Sequence, residues 1–262
     1  MKPKAPKVIH EKTRNGLDLA TDQGTSQTAR ATLALREMLV QGRFPPGERM
    51  REVPLAKQLG ISRVPLRLAL ERLAHEGFLE MRATRGFVAQ QFSISDIYDA
   101  IELRGLLEGM AARLAAERVP TDGQLSTLRV LHEEMATLVR RRKLTLDTVA
   151  EYIDRNSKFH AEVLSLSNSS RLRRAMDQVC SLPFASTSAF LQRHYLAPES
   201  HELFLISIDH HRTILEAITA REGARAESVA REHARVARRN LESALQNQHI
   251  GESVPGFQLI KL

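Results

Sequence analysis

The hydrophobic residues of this chain recur mostly at intervals of three and four, which is the spacing of one face of an α-helix. Over residues 27–42 this pattern predicts a first helix that ends at Gly42. The sequence FPPGERM that follows predicts a turn, because two prolines and a glycine cannot continue a helix. A short second helix is predicted over about Val53–Leu59, and Gly60 would end it in a left-handed conformation.

A third helix is predicted to begin after Ser62, whose side chain would cap it, and to end at Gly77. Pro65 falls in its first turn, where the missing N–H has no partner within the helix in any case. The predicted buried stripe consists of Leu66, Ala69, Leu70 and Leu73. The sequence FLEMRATRGFVA then predicts two short strands joined by a turn at 83–86. Three helices with a sharp turn between the last two, followed by a β-ribbon, form a winged helix-turn-helix.

From Ile94 onward the pattern is helical almost to the end of the sequence. Helices are predicted at 96–117, 123–143, 145–167, 169–196, 199–221 and 223–248, and Pro183 should kink or split the fourth of them. Short connections between long amphipathic helices predict an antiparallel bundle.

The predicted fold class is therefore mainly α, with two domains. Residues 26–92 are expected to form the winged helix-turn-helix, and residues 93–248 the helical bundle. Residues 1–25 are expected to be a flexible basic tail, and residues 249–262 a loose tail.

The distribution of charge divides the chain in the same way. Residues 1–92 carry 16 Lys and Arg against 9 Asp and Glu, whereas residues 93–262 carry 22 of each. The whole net charge of +7 thus lies in the N-terminal third. This asymmetry favours a nucleic-acid-binding module joined to a neutral one, although a solubilising surface with a basic tail is the alternative.

Composition also limits the cellular compartment in which the protein is expected. The single cysteine, Cys180, excludes an internal disulfide framework and fits a reducing compartment. No apolar run is long enough to span a membrane, and the basic N-terminus lacks the apolar core of a secretory signal. The expected localisation is cytoplasmic.

Several side chains of the winged helix-turn-helix are candidates for contact with DNA. Arg63 and Arg67 lie four apart on one side of the third helix, where each could bind guanine or phosphate. Ser62 would offer its hydroxyl and helix N-terminal N–H groups to a phosphate. The wing adds Arg82, Arg85 and Gly86. The alternative is that exposed arginines on a helix are simply solvated.

Residues 38–89 resemble the N-terminal domain of GntR-family transcription regulators. The matching positions include Gly42, Pro46, Gly47, Leu55, Ala56, Gly60, Ser62, Arg63, Pro65, Arg67, Ala69, Leu70, Gly77 and Gly86. Two positions depart from the family pattern, since Val64 replaces Thr and Leu68 replaces Glu. Val64 lacks a hydroxyl and could instead pack on a thymine methyl group, so the operator is expected to differ from the family norm.

Three histidines on three different predicted helices are candidates for a metal site. His160, His211 and His233 could each direct an imidazole into the bundle, and imidazole donors suit Zn, Ni or Co. Asn156 lies one turn before His160 and would add an oxygen ligand. The alternative is that these are ordinary helical histidines, as the chain has 10; His210 also adjoins His211, and only one of the pair can face inward.

Residues 96–245 resemble the FCD domain, the effector-binding domain of the FadR-like GntR subclass. The matching positions are Arg104, Glu108, Phe159, His160, Asn168, His211, Ile214, Ala217, Ile218 and His233. The resemblance implies a divalent transition metal, Zn or Ni, held by the three histidines and an acid whose position is Asn156 here. A neutral ligand in place of a carboxylate should weaken metal affinity and strengthen attraction for an anion.

The resemblance also implies a small carboxylate metabolite as the effector. Arg104 could anchor it through a bidentate pair, or could instead form an i,i+4 ion pair with Glu108. Together these expectations describe a homodimeric regulator, expected to be a repressor, that binds double-stranded operator DNA.

Two other functions are consistent with the same fold. One is a metal-independent acyl-CoA-type sensor, against which the presence of all three histidines argues. The other is a metal-dependent hydrolase, which would need a base beside the metal. No carboxylate stands at helical spacing from the three histidines, and Asn156 cannot act as a base. We therefore expect that the protein is not an enzyme.

Overall fold

The computed structural model describes residues 18–118, 120–140, 144–182, 184–186, 200–246 and 256–261. Its N-terminal part is the predicted winged helix-turn-helix. The elements are α1 (Asp18–Val40), α2 (Glu52–Leu59), α3 (Arg63–His75), β1 (Leu79–Arg82) and β2 (Gly86–Ala89). Apolar side chains of all three helices and of the ribbon form one core, which includes Leu35, Leu55, Leu66, Leu70 and Phe87.

Local sequence signals account for most of these boundaries. Gly60 ends α2 in the left-handed region, at φ +64°, as predicted. The strands β1 and β2 pair antiparallel from Leu79 opposite Ala89 to Arg82 opposite Gly86. The first helix differs from its prediction because it begins at Asp18, within the segment expected to be a flexible tail. Residues 18–26 contain few apolar side chains, so hydrophobic periodicity could not reveal this part of the helix.

The second part of the chain is the predicted helical bundle. Its helices are α4 (Ile94–Glu117), α5 (Asp122–Val139), α6 (Leu146–Leu166), α7 (Ser170–Cys180), α8 (Ser200–Thr219), α9 (Gly223–Ala234) and α10 (Val236–Gln246). The central helix is α4, which packs against α6, α7, α8 and α9. No helix in the described residues is both long and apolar enough to cross a membrane.

Two predicted helices are interrupted. Within the predicted helix 169–196, α7 ends at Cys180; Pro183, where a kink or a split was expected, lies outside the described residues, as do residues 187–199. The predicted helix 223–248 is divided at Arg235 into α9 and α10. These two helices pack in different hydrophobic clusters. Residues of α9 belong to the core of the main bundle, and Leu241 of α10 belongs to a second cluster.

Two glycines of α4 allow α9 to approach it closely. A Cβ at Gly105 would lie 2.9 Å from the Cβ of Ala234, and one at Gly109 would lie 2.7 Å from the Cγ of Arg231. Real Cβ atoms do not approach other atoms so closely, so larger residues here would separate the helices. The close contact brings His233, near the end of α9, into the interior.

Residues 256–261, which we call the clasp, are ordered rather than a loose tail. They form a short 3-10 turn (Phe257–Leu259) and β4 (Ile260–Lys261), which pairs in parallel with β3 (Phe92–Ser93). Leu259 and Ile260 are buried. The stretch is too short for periodicity to reveal, which is why the sequence did not predict it.

The clasp also contacts the winged helix-turn-helix domain. The Gly256 N–H donates to the carbonyl oxygen of Val40 at 3.0 Å. The amide of Gln258 donates to the same oxygen at 2.9 Å. Since Val40 ends α1 and β3 immediately precedes α4, the clasp links the two domains.

Candidate metal centre and nucleic-acid interface

Three imidazoles converge at the centre of the bundle, as the sequence predicted. They come from His160 on α6, His211 on α8 and His233 on α9. The Nε2 atom of His233 lies 3.1 Å from that of His211 and 3.3 Å from that of His160. Their candidate ligand atoms all lie within 4.8 Å of one another.

The chemistry of this cluster fits a divalent metal. Burial lowers the pKa of His211 and His233 well below the usual value, and neighbouring imidazoles lower it further. Both rings are therefore neutral, and neutral imidazole is the metal-binding form. Zinc–nitrogen bonds of about 2.0–2.1 Å at tetrahedral angles place ligand nitrogens roughly 3.3 Å apart, close to the separations observed here. The donor type and these two separations thus fit such an ion.

A buried carboxylate supports the cluster from behind His160. Oε1 of Glu108 lies 3.3 Å from the Nδ1 atom of His160, on the side of the ring away from His233. Burial alone would raise the pKa of Glu108, but Arg104 and the nearby histidines outweigh it and lower the pKa to about 2. An ionised carboxylate behind a histidine fixes the ring's tautomer and orientation. From the sequence, Glu108 was named without this role, through its match to the FCD pattern and its spacing from Arg104.

Arg104 is buried and is directed toward protein groups. Its guanidinium donates to the carbonyl oxygens of Ala185 at 3.1 Å, Ser186 at 2.6 Å and Ala234 at 3.3 Å. Its Nε lies 3.7 Å from Glu108 Oε2, so the i,i+4 ion pair considered as an alternative is present. Arg104 does not line the cavity described below. The geometry therefore favours a positioning role over the predicted effector contact.

The other predicted members of the site lie close to the cluster. Asn156 is buried one turn before His160 on α6, and its role as a ligand stays a prediction. His211 belongs to the metal-compatible group, whereas the adjacent His210 does not. The ring of His210 instead lies edge-on to that of His233, with centroids 5.8 Å apart.

A cavity of about 190 Å³ adjoins the histidines. His160, His233 and Glu108 lie along it, and most of its other lining residues are apolar, among them Phe159, Val163, Met176 and Ile214. An apolar cavity of about 150 Å³ holds a benzene molecule, so this one has room for a compact apolar body and one polar group.

Cys180 also lines this cavity, which gives the first prediction. Burial, together with the charge of Glu108, raises the pKa of the thiol to about 11. At neutral pH the thiolate fraction should be roughly two orders of magnitude below that of an ordinary cysteine. We expect iodoacetamide to alkylate the native protein correspondingly slowly, and the urea-unfolded chain at the normal rate, as followed by intact mass. Equal rates in the two states would contradict the raised pKa of Cys180.

The exposed face of α3 carries the predicted DNA-binding residues. Arg63 lies 3.6 Å from Glu52, and Arg67 lies 3.3 Å from Glu71. Both arginine side chains are more than half exposed, so these ion pairs are weak and can be exchanged for phosphate or base contacts. Val64 is also on this face, 71% exposed.

Ser62 occupies the predicted N-cap position of α3, but its side chain makes no capping hydrogen bond. The prediction that the hydroxyl caps the helix is therefore wrong. In the wing, Arg82 pairs with Glu80 at 2.7 Å and Arg85 is exposed. Gly86 adopts a left-handed conformation with φ +67°, which turns the chain into β2. The DNA contacts of these residues stay predictions.

Comparison with known proteins finds a matching family model for each of the two domains. Residues 27–88 match the model of the gntR family of bacterial regulatory proteins, and residues 99–236 match the FCD domain. The chain is 37% identical over 144 residues to the Nta operon transcriptional regulator of Aminobacter aminovorans. That match covers 54% of this chain and 64% of the relative, so the alignment spans less than two thirds of that protein.

Two further similarities agree with this assignment. A probable D-xylose utilization operon transcriptional repressor of Paenarthrobacter nicotinovorans is 32% identical, over 59% of this chain and 68% of its own length. The structure of Escherichia coli McbR/YncC superposes with a TM-score of 0.58 at 25% identity, covering 85% of this chain and 98% of that one. These relatives and families are regulators of transcription and not enzymes. The chain therefore belongs to the GntR family of bacterial transcriptional regulators and combines its DNA-binding domain with an FCD domain.

Proposed function

We propose that this protein is a repressor whose operator affinity is controlled by a small carboxylate bound at a divalent transition metal in the FCD domain. The observation that carries the proposal is the convergence of three imidazoles, two of them fully neutral through burial, beside a largely apolar cavity. Two relatives are named as repressors and a third as an activator, and the names of the two support repression.

The residues that would hold the metal are His160, His211 and His233, and Zn or Ni suits such imidazole donors. The bound ion would supply a Lewis-acid position for an effector carboxylate. Glu108 orients His160, and Arg104 in turn holds Glu108 in place. Asn156 occupies the position where the resembled family has an acid, so the site has one negative charge fewer. It should therefore attract an anion more strongly.

The walls of the cavity suggest what kind of carboxylate binds. Apolar walls favour a ligand whose body is apolar, with its polar group directed at His160 and His233. The volume fits a body about the size of a benzene ring. A monocarboxylate with a compact aromatic or branched body is therefore the proposed effector class.

An exposed apolar stripe on α4 supports a homodimer. Leu103, Leu106 and Met110 are 44%, 45% and 39% exposed and follow one another at helical spacing. A second copy is the proposed occupant, because a twofold contact buries the same stripe of both chains. Two winged helices related in this way would match a pseudo-palindromic operator.

A structural change caused by effector binding would be transmitted to the DNA-binding domain through two sets of contacts. Arg104 joins Glu108 to the carbonyl of Ala234 at the end of α9, and the clasp joins the start of α4 to Val40. A coupling of about 1–3 kcal/mol would change operator affinity about 5- to 150-fold.

Thermal unfolding of the purified, metal-loaded protein against a panel of carboxylates tests the proposal. A ligand at about 100 times its Kd adds roughly 2.7 kcal/mol of stability, and for this chain length the melting temperature should rise by several degrees. We expect benzoate-sized monocarboxylates to stabilise more than short dicarboxylates, and EDTA to remove the effect.

The EDTA arm separates this proposal from its main competitor. Stabilisation that survives EDTA would mean that the metal does not anchor the effector, as in the metal-independent sensor. Absence of metal from the purified protein, with no stabilisation by added Zn or Ni, would overturn the metal site itself.

A further inference from the structure

The exposed face of α3 contains two apolar side chains that the core does not use. Val64 is 71% exposed and Leu68 is 50% exposed. The buried side of the same helix is complete without them, since it is formed by Pro65, Leu66, Ala69, Leu70 and Leu73. Single exposed apolar residues are ordinary, but these two lie together on the face that also carries Arg63 and Arg67.

The spacing of Val64 and Leu68 along α3 is compatible with the spacing of successive base pairs in DNA. Val64 and Leu68 are four residues apart, so their side chains lie one above the other along α3. One helical turn rises about 5.4 Å, whereas successive base pairs rise about 3.4 Å. Two side chains one turn apart can therefore reach bases one or two steps apart in the major groove.

The neighbouring charges indicate which occupant this apolar pair contacts. Arg63 and Arg67 flank it and are exposed, which suits a polyanion and opposes docking of an ordinary apolar protein surface. Within the major groove the thymine 5-methyl is the apolar group that the base edges present. Val64 and Leu68 have no polar atom in their side chains, so a methyl group is the feature they can recognise.

We propose that Val64 and Leu68 form an apolar strip that selects thymine at two nearby positions of each operator half-site, through contact with the 5-methyl groups. This inference rests on the proposed docking of α3 in the major groove. It assigns specificity to two residues whose positions carry polar side chains in the resembled family pattern. Arg63 and Arg67 would then supply guanine or phosphate contacts beside the selected thymines.

Deoxyuridine gives a direct test, because it lacks the 5-methyl group and keeps the base-pairing edge of thymine. The full chain would first select its preferred sites from a random-sequence duplex library. Each thymine of a selected site would then be replaced singly by deoxyuridine, and affinity measured by fluorescence anisotropy at one salt concentration. Loss of one methyl contact should weaken binding about fourfold, the equivalent of about 0.8 kcal/mol.

The variants Val64→Ala and Leu68→Ala identify the residue that contacts each methyl. Each variant should bind the thymine and deoxyuridine duplexes equally at one position while keeping the discrimination at the other. Leu205→Ala, which changes a half-exposed leucine on α8, is the matched control and should retain both effects. Because Val64 and Leu68 are exposed, unchanged melting temperatures are expected and would confirm that the fold is intact.

Three outcomes would overturn the proposal in different ways. A selected site whose affinity is insensitive to every deoxyuridine replacement would eliminate the apolar strip and leave operator binding standing. Failure to enrich any duplex would eliminate operator binding by α3, and the strip with it. Equal loss of affinity for both duplexes in the alanine variants would mean that the two residues act without contacting the methyl groups.

Discussion

Replacing Arg67 by alanine should abolish measurable operator binding at physiological salt while leaving the fold intact. Arg67 lies on the exposed face of α3, and its ion pair with Glu71 contributes little to stability. A bidentate arginine–guanine pair contributes about 1–3 kcal/mol of discrimination, and a dimer on two half-sites would lose it twice. Fluorescence anisotropy at several salt concentrations would measure the loss.

Two further variants define what Arg67 does. Arg67→Lys retains the charge and lacks the bidentate geometry, so it should preserve salt-dependent binding while discriminating poorly between sequences. Arg129→Ala removes an exposed arginine of α5 and should change nothing. If Arg67→Ala bound the operator with normal affinity and a normal salt dependence, α3 could not be the helix in the major groove.

The second large effect is expected at His233, whose Nε2 lies 3.1 Å from that of His211 and 3.3 Å from that of His160. His233→Ala should remove one of three ligands and lower metal affinity by more than roughly 100-fold, the upper end of the range for losing a supporting group. His210→Ala should retain the metal, because His210 lies outside the ligand group. Metal content after dialysis against a weak chelator measures the difference.

An intermediate loss of metal affinity in a Glu108 variant would further support the proposed metal site. Glu108→Gln removes the charge that faces the Nδ1 atom of His160, and a change of this kind typically costs about 10- to 100-fold in metal affinity. Its effect should fall between those of His210→Ala and His233→Ala. Equal metal loss in the two histidine variants would show that the inward-facing histidine of α8 has been misassigned.

Local signals in the sequence predicted the DNA-binding domain well, because its turns depend on single residues. Gly60 ends α2 in a left-handed conformation, and Pro65 lies in the first turn of α3. These two residues therefore mark the turn between the second and third helices. The three histidines could also be predicted, since each falls on the interior face of its own helix. Ser62 was placed correctly at the N-cap, but which hydrogen bond its hydroxyl makes is not determined by position alone.

The features that sequence could not predict depend on contacts between distant residues. The role of Glu108 arises when α4 packs on α6, and nothing in the spacing along either helix encodes that contact. Gly105 and Gly109 set how closely α9 approaches α4, yet glycines within a helix carry no periodic signal. The clasp is a few residues long, and its partner strand lies far away in the chain.

The position of the clasp has a consequence for the order of folding. Contacts within the winged helix-turn-helix join residues near one another in sequence, which form quickly, whereas the parallel pairing of β3 with β4 must close a loop containing the whole helical bundle. Such long-range pairing is expected to form after the local contacts, because loop closure must precede it. During folding, the part of the chain that binds DNA should therefore be complete before the clasp ties it to the effector domain, and the newly formed protein should bind its operator before it can be regulated.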